Sequence, residues 1–293
     1  MKIGITGASG LIGTALLPAL REAGHETIVF VRRPASAPDE RRWDATHLAP
    51  EAVQDLDAVI HLAGAGVADK RWTDSYKKTI LDSRVASTRA VSLAVAQAGV
   101  PTLLSASAIG WYGDTGDRAS DESGPYGKGF LADVVRQWEQ ATAPAQEAAA
   151  RVVLLRTGIV LAKEGGALAK QATVAKLGLG APLGSGQQWM SWISLRDEIA
   201  AIVHLLTSSV RGPVNLVGPA PVTNRDYTKA LNRILHRPTF PLPVPGFVLR
   251  TVLGEFAQDG VLTGQRLVPA VLEADGFTFT DRDVTSALQA ALG

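Results

Sequence analysis

The chain contains no cysteine. Disulfides, thiolate metal sites and cysteine nucleophiles are excluded, and the absence fits a reducing cytoplasm. Charge of one sign is also missing: 29 Lys and Arg stand against 28 Asp and Glu, a formal net charge of +1, so nothing marks a nucleic-acid partner. No apolar run is long enough to cross a bilayer. The chain enters a strand-like run at Lys2 with no charged lead and apolar signal core. His25, His47, His61, His204 and His236 show no metal-ligand spacing. No Gly-x-Ser-x-Gly elbow joins a strand to a helix, which disfavours a hydrolase. No Walker lysine follows the first glycine turn, which disfavours nucleotide-triphosphate hydrolysis. The expectation is a soluble cytoplasmic protein with a small-molecule substrate and without metal, nucleic acid or membrane; its oligomeric state stays open.

What is present begins at once. Lys2–Thr6 is a β-branched run that stops at Gly7-Ala8-Ser9-Gly10-Leu11-Ile12-Gly13, and an apolar helical pattern (Leu16, Leu17, Leu20) follows. Strand, glycine turn and helix together make a dinucleotide site. Gly7 permits the tight turn, Gly10 lets backbone N–H groups approach a pyrophosphate, and Gly13 lets helix and strand pack closely. The helix offers its positive N-terminal end to the phosphates.

Strands and helices alternate from there. Lys2–Thr6, Glu26–Arg32, Ala58–Leu62, Thr102–Ser107 and Val152–Thr157 read as strands, and Leu11–Ala23, Thr73–Ala98 and Gly129–Ala149 as helices. Near-continuous apolar strands separated by amphipathic helices predict a doubly wound parallel sheet, an α/β Rossmann fold. After Thr157 the texture changes. Gly165-Gly166, Gly178, Gly180, Pro182, Gly184 and Gly186 punctuate a loop-rich stretch. Leu195–Leu206 and Asn224–His236 then read as helices and Val214–Val217 as a strand, and a final helix over Asp283–Leu292 is capped by Asp281 or Asp283. The expected organisation is a core over 1–160, with 195–222 returning to it, and a smaller substrate lobe from 161–194 and 223–293.

Three further strand ends carry candidate chemistry. Arg32 and Arg33 stand where an NAD-specific site places an acid against the ribose hydroxyls, and Glu26 is at the wrong end of that strand. An arginine there suits the 2′-phosphate of NADP, although two solvated surface charges would look the same. Leu62-Ala63-Gly64 lets a cofactor lie close at the next strand end, whereas His61 before it reads as a packed core histidine. Ser105-Ala106-Ser107 brings hydroxyls to the crevice, unless it is only a strand-end turn. Trp189, Trp192 and Trp111 with Tyr112 could line an apolar pocket or simply pack the core.

The chain resembles the extended short-chain dehydrogenase/reductases of the NAD(P)-dependent epimerase/dehydratase superfamily, and within them an atypical epimerase-like branch. The matching segments run nearly the whole length. They include Thr6–Gly13, Lys70-Arg71-Trp72-Thr73, Ser83-Arg84, Trp138-Glu139, Arg156-Thr157-Gly158, Leu177-Gly178-Leu179-Gly180-Ala181-Pro182, Arg211-Gly212-Pro213 and Gly264-Gln265-Arg266. The resemblance implies NADP(H) contacts at Gly7, Gly10, Ile12, Gly13, Val31, Arg32, Leu62, Ala63 and Arg84, although Arg84 reads equally well as a surface helix charge near Asp82. Ser9 and Leu11 lie within the same motif, and Arg156 ends a strand where the superfamily positions the nicotinamide half.

One departure bears on mechanism. Superfamily enzymes pair a catalytic Tyr with a Lys four residues later on the same helical face. Here Ile80, Gly116, Phe130 and Leu231 follow Tyr76, Tyr112, Tyr126 and Tyr227 at that spacing. Lys128 is two positions from Tyr126, roughly 200° around an ideal helix, unless Gly127 and Gly129 keep the segment non-helical and let Lys128 turn inward. Aligning Trp138-Glu139 with the branch instead puts Phe130 near the tyrosine position. The expected function is an NADP(H)-binding, epimerase-like oxidoreductase on a small, nucleotide-sugar-like substrate, without the usual dyad. Ser107 would bond the reacting oxygen, and Tyr112 or Tyr126 would assist proton transfer. The alternative is a cofactor-binding sensor without turnover.

Overall fold

A computed structural model describes residues 1–293. In chain order the strands are β1 (Lys2–Thr6), β2 (Glu26–Val31), β3 (Glu40–Arg42), β4 (Ala58–His61), β5 (Thr102–Ala108), β6 (Arg151–Thr157), β7 (Ile159–Leu161), β8 (Trp189–Met190), β9 (Trp192–Ser194), β10 (Gly212–Leu216) and β11 (Val222–Thr223). The helices are α1 (Leu11–Glu22), α2 (Asp74–Ala98), α3 (Phe130–Gln140), α4 (Ala143–Glu147), α5 (Gly166–Lys176), α6 (Leu195–Thr207), α7 (Asn224–Ile234), α8 (Gly246–Leu253), α9 (Ala270–Ala274) and α10 (Val284–Leu292). No helix is long and apolar enough to cross a membrane.

The chain divides into two compact units: Met1–Ser107 with Val134–Arg156 and Ile199–Val214, and Ala108–Asp133 with Thr157–Glu198 and Asn215–Gly293. Residues 108–133, grouped with the core by the sequence reading, fall in the second unit.

The first unit is built on a seven-stranded sheet in the order β10-β6-β5-β4-β1-β2-β3, a doubly wound Rossmann-like arrangement. The pairings from β3 through β2, β1 and β4 to β5 are parallel. The chain leaves β1 toward β2 and then crosses to β4 on the opposite side. β1 and β4 therefore flank the topological switch point, where ligands bind in such sheets. Ile28, Phe30, Val59, Leu103 and Leu154 of the strands pack against Val91 and Val95 of α2. Both strand faces are covered, which is why the strands read as apolar runs rather than as alternation.

The second unit has its own core. Trp192 and Met190 meet Leu161, Leu168 of α5, Tyr227 and Leu231 of α7, and Leu288 of α10. Two short sheets, β7 with β9 and β8 with β11, organise it. Asp283 caps α10 by accepting from the amides of Thr285 and Ser286. Asp281 instead takes the guanidinium of Arg196.

Two expected elements change. The helix expected over Gly129–Ala149 is two helices, α3 and α4. Thr142 turns back on the Glu139 carbonyl, and Pro144 sits in the first turn of a new helix, where its missing N–H costs nothing. The stretch read as loop after Gly165 contains α5, with Leu168, Ala172 and Ala175 on its buried face.

Candidate functional site

In the first unit the turn after β1 is a cradle of bare backbone. Gly7 has a φ of +71°, a left-handed conformation that favours glycine. A Cβ on Gly7 would lie 2.7 Å from the Leu62 carbonyl carbon, and one on Gly13 would lie 2.4 Å from the Gly7 oxygen. The turn is thus pressed against the end of β4 on one side and the start of α1 on the other. Helix α1 begins with Gly10 as N-cap, without a side-chain cap or an acid in its first turn. The amides of Leu11, Ile12 and Gly13 have no partner within the helix and remain available to an anion. Because the obstacle at Gly13 is main chain and cannot rotate away, Gly13→Ala is expected to lose about 1–3 kcal/mol of stability. Urea midpoints measure it, and an unchanged midpoint would show that helix and turn part freely.

The two arginines after β2 are not equivalent. Arg33 is committed: it donates to both carboxylate oxygens of Glu40, to Ser36 Oγ and to the Pro34 carbonyl. That ion pair holds the Glu40 carboxyl well below its usual range, at about 2. Arg32 is exposed and carries no hydrogen bond or ion pair.

Beyond β4, Leu62, Ala63 and Gly64 lead to a second cation. Arg84, on α2, donates to the carbonyls of Ala65 and Ile80 at 2.8 and 3.1 Å. Its guanidinium carbon stands 5.0 Å from the centre of the Trp138 ring. A Cβ on Gly64 would lie 3.4 Å from its Cγ. No carboxylate pairs with it, and burial pushes its pKa down to about 10. His61 is fully buried between Thr6 Oγ1 at 2.7 Å and Ser87 Oγ at 3.2 Å, and burial drives it to about 3. It is a neutral core histidine, as its position suggested.

Sequence reasoning overlooked Glu139. Its carboxylate accepts from Arg156 Nε and Nη2 at 2.8 and 2.9 Å and from Ser107 Oγ at 2.6 Å. All three side chains are buried. Arg156 is therefore held by a carboxylate rather than presented to a cofactor, and the Ser107 hydroxyl already donates its hydrogen bond to Glu139. The serine can accept a further bond, but it donates to a substrate oxygen only by leaving Glu139. Ser105 is buried beside it and donates to the Ala106 carbonyl at a long 3.4 Å. A signal for Glu139 existed: Ala132, Val135 and Glu139 fall on one helical face, which puts a charge on the apolar stripe of α3.

The second unit holds a cavity of about 510 Å³ whose lining includes Tyr112, Arg118, Tyr126, Lys128, Asp259 and Gln265. Its floor is main chain: a Cβ on Gly127 would meet the Tyr112 carbonyl oxygen at 2.2 Å. Tyr112 is buried and donates to Asn215 Oδ1 at 2.7 Å. Tyr126 is exposed and donates to the Asp133 carboxylate. Tyr126 and Lys128 both precede α3, whose first amides bond Asp259 at its N-terminus. The rotation that would turn Lys128 away from Tyr126 presumes a helix that is not there, and both residues line the same cavity. Trp189 and Trp192 do not line it. Trp192 is core, and Trp189 lies under the guanidinium of Arg266 at 4.2 Å while donating to Asp117.

A glycine turn at the switch point of a doubly wound sheet, followed by a free arginine, defines an α/β protein built for a dinucleotide. A profile of the NAD dependent epimerase/dehydratase family matches residues 3–218, and the chain belongs to that family. A domain of unknown function, DUF1731, matches residues 244–291. The chain is 47% identical to the epimerase family protein Mb2239 of Mycobacterium bovis, over 98% of this chain and 96% of that one. The crystal structure of human epimerase family protein SDR39U1 with NADPH superposes with a TM-score of 0.91, at 30% identity over 99% of both chains. A nucleoside-diphosphate sugar epimerase from Corynebacterium glutamicum gives a TM-score of 0.84 at 36% identity, covering all of this chain and 58% of that one.

Proposed function

We propose that the protein binds NADP(H) through the glycine turn, Arg32 and Arg84 of its first unit, and acts as an epimerase-like oxidoreductase on a small molecule. The observation that carries this reading is the contrast between the two arginines: Glu40 takes Arg33 and leaves Arg32 as an unpaired cation where an NAD-specific site would carry an acid. The residues present fit the cofactor. The α1 amides and the unpaired Arg84 offer two places for phosphate charge, and the glycines leave the backbone uncovered. Bound NADP(H) would supply the hydride donor or acceptor. Val31 and Arg33 would shape the adenosine end, and Leu62, Ala63 and Gly64 would border the path of the pyrophosphate. Ser107 and Arg156 act through Glu139 in this scheme: Arg156 fixes the carboxylate, which in turn fixes the serine hydroxyl.

Charge-assisted hydrogen bonds contribute about 1.5–3 kcal/mol each. Arg32→Ala is therefore expected to weaken NADPH binding roughly 10- to 100-fold and to leave NADH binding within about twofold. Calorimetry with both cofactors measures it. Equal affinities in the wild type, or a preference that survives Arg32→Ala, would sink the assignment.

A second reading, a cofactor-binding sensor without turnover, is favoured by the hydroxyls. Ser107, Tyr112 and Tyr126 each donate to a protein acceptor, and no tyrosine has a lysine four residues later. Exchange of hydride between NADPH and a panel of carbonyl compounds separates the two. Exchange with any of them removes the sensor reading, and binding without exchange across the panel favours it.

A further inference from the structure

Large apolar side chains reach solvent on the second unit in a way its core does not require. Leu177, Leu179, Phe240, Leu242, Phe247 and Val252 are all exposed, with Leu177 at 72% and Leu242 and Phe247 at 68%. They are neighbours through the backbone. Phe240 N bonds the Gly180 carbonyl, Val244 N bonds the Pro182 carbonyl, and Gly184 N returns a bond to Val244, after which the chain enters α8. Monomeric proteins rarely gather so many exposed large apolar residues without a partner.

The two segments that build this face carry charges of one sign, with the exposed acids Glu164, Asp226 and Glu255 just beyond their ends. Segments 165–183 and 227–254 contain Lys170, Lys176, Lys229, Arg233, Arg237 and Arg250 and not one Asp or Glu, in a chain whose net charge is only +1. All six cations are exposed. Pro238, Pro241, Pro243 and Pro245 also remove backbone donors from the strip that carries Phe240 and Leu242. Fewer N–H groups then lose water when the strip is covered.

We propose that this face docks on an anionic membrane surface, with Leu242 and Phe247 entering the headgroup region and the lysines and arginines meeting lipid phosphates. Exposed apolar side chains and exposed cations carried by the same segments are what interfacial binding needs. A second copy of the chain fits less well, because a twofold contact would set six cations against themselves with only Glu164, Asp226 and Glu255 at the segment ends to pair them. The expectation of no membrane partner rested on the lack of a long apolar run, which excludes a spanning helix and not a peripheral contact.

Co-sedimentation of the full chain with vesicles tests this. One set is phosphatidylcholine alone, and the other is an equal mixture with phosphatidylglycerol. Binding is expected to the mixed vesicles only and to fall with salt. Lys176→Gln and Arg237→Gln should each weaken it about fivefold. Leu242→Ser with Phe247→Ser should weaken it at least about tenfold. Thermal midpoints and NADPH affinity of all these variants are expected at wild-type level, so a failed cofactor assignment would not touch this result. Three outcomes overturn the proposal: no binding to mixed vesicles, equal binding to neutral ones, or no effect of the serine pair. So would a dimer in sedimentation equilibrium that the serine pair dissolves.

Discussion

Glu139→Ala is expected to destabilise the protein by about 3–5 kcal/mol, a large part of the total stability of an ordinary domain. Glu139 and Arg156 have side chains only 8% and 3% exposed, and they meet through two parallel bonds. Removing the carboxylate takes two bonds from a buried guanidinium that cannot lose its proton, and takes the acceptor from Ser107. The cost lies in the orphaned charge more than in the lost attraction. Glu139→Leu combined with Arg156→Met should therefore recover most of the loss, because no buried charge is then left unpaired. Ser107→Ala should cost only about 1 kcal/mol, since Arg156 still satisfies the carboxylate. Urea unfolding of the single and double variants measures the series. A loss below about 1 kcal/mol in Glu139→Ala would mean that water reaches Arg156, and the network would not be the fixed support assigned to it here.

The parts of the fold that the sequence disclosed are those decided over a few residues. β1, the glycine turn and α1 depend on Gly7, Gly10 and Gly13 within one short segment, so spacing alone fixes their roles. The C-terminus of α2 was equally local, since Gly99 takes the left-handed conformation at φ +71°. The site was less legible because its distinctions are made across the fold. Nothing in Arg32-Arg33 tells which one is free; Glu40 decides it, on a strand whose pairing with β2 brings it back beside Arg33. Arg156 looked like a cofactor ligand because a charge at a strand end usually faces the crevice. Glu139, 17 positions earlier, claims it instead. The periodicity of α3 continued through Thr142 into α4 and hid the break, although Pro144 marked it. Glycines on both sides of α5 had the opposite effect and concealed a helix whose buried face is Leu168, Ala172 and Ala175. Helical rotation does not apply to Tyr126 and Lys128, because they lie before α3 and Gly129 takes a φ of +109° between them and the helix.

Stability is expected to fall as pH rises from about 6.5 to about 8, and Glu198→Gln is expected to remove that fall. Glu198 is wholly buried in the second unit. Thr157 Oγ1 donates to one of its oxygens at 2.9 Å, and the other has no partner. Burial raises its pKa from 4.5 to about 8, against the weaker opposing pull of Thr157. The folded protein thus keeps the proton where the unfolded chain releases it. The contribution is fully present below about pH 4.5 and is lost as pH rises to about 8, at about 1.4 kcal/mol per unit. His61 acts in the other direction. Its pKa is lowered from 6.5 to about 3, so its contribution is present above 6.5 and is lost as pH falls toward 3. Between about 4.5 and 6.5 the two slopes oppose and nearly cancel, leaving a plateau. Above 6.5 only Glu198 remains of the pair, and the loss to pH 8 is about 2 kcal/mol. Glutamine keeps the acceptor for Thr157 and has no proton to release, so the variant should gain stability up to about pH 6.5 through His61 alone, then stay level to about pH 8 and be the more stable protein there. Urea midpoints taken in steps from about pH 5 to about pH 9 follow both curves. A wild-type midpoint that stays level or rises between 6.5 and 8 would show that Glu198 is already ionised in the folded protein, reached by water or a cation at its unpartnered oxygen.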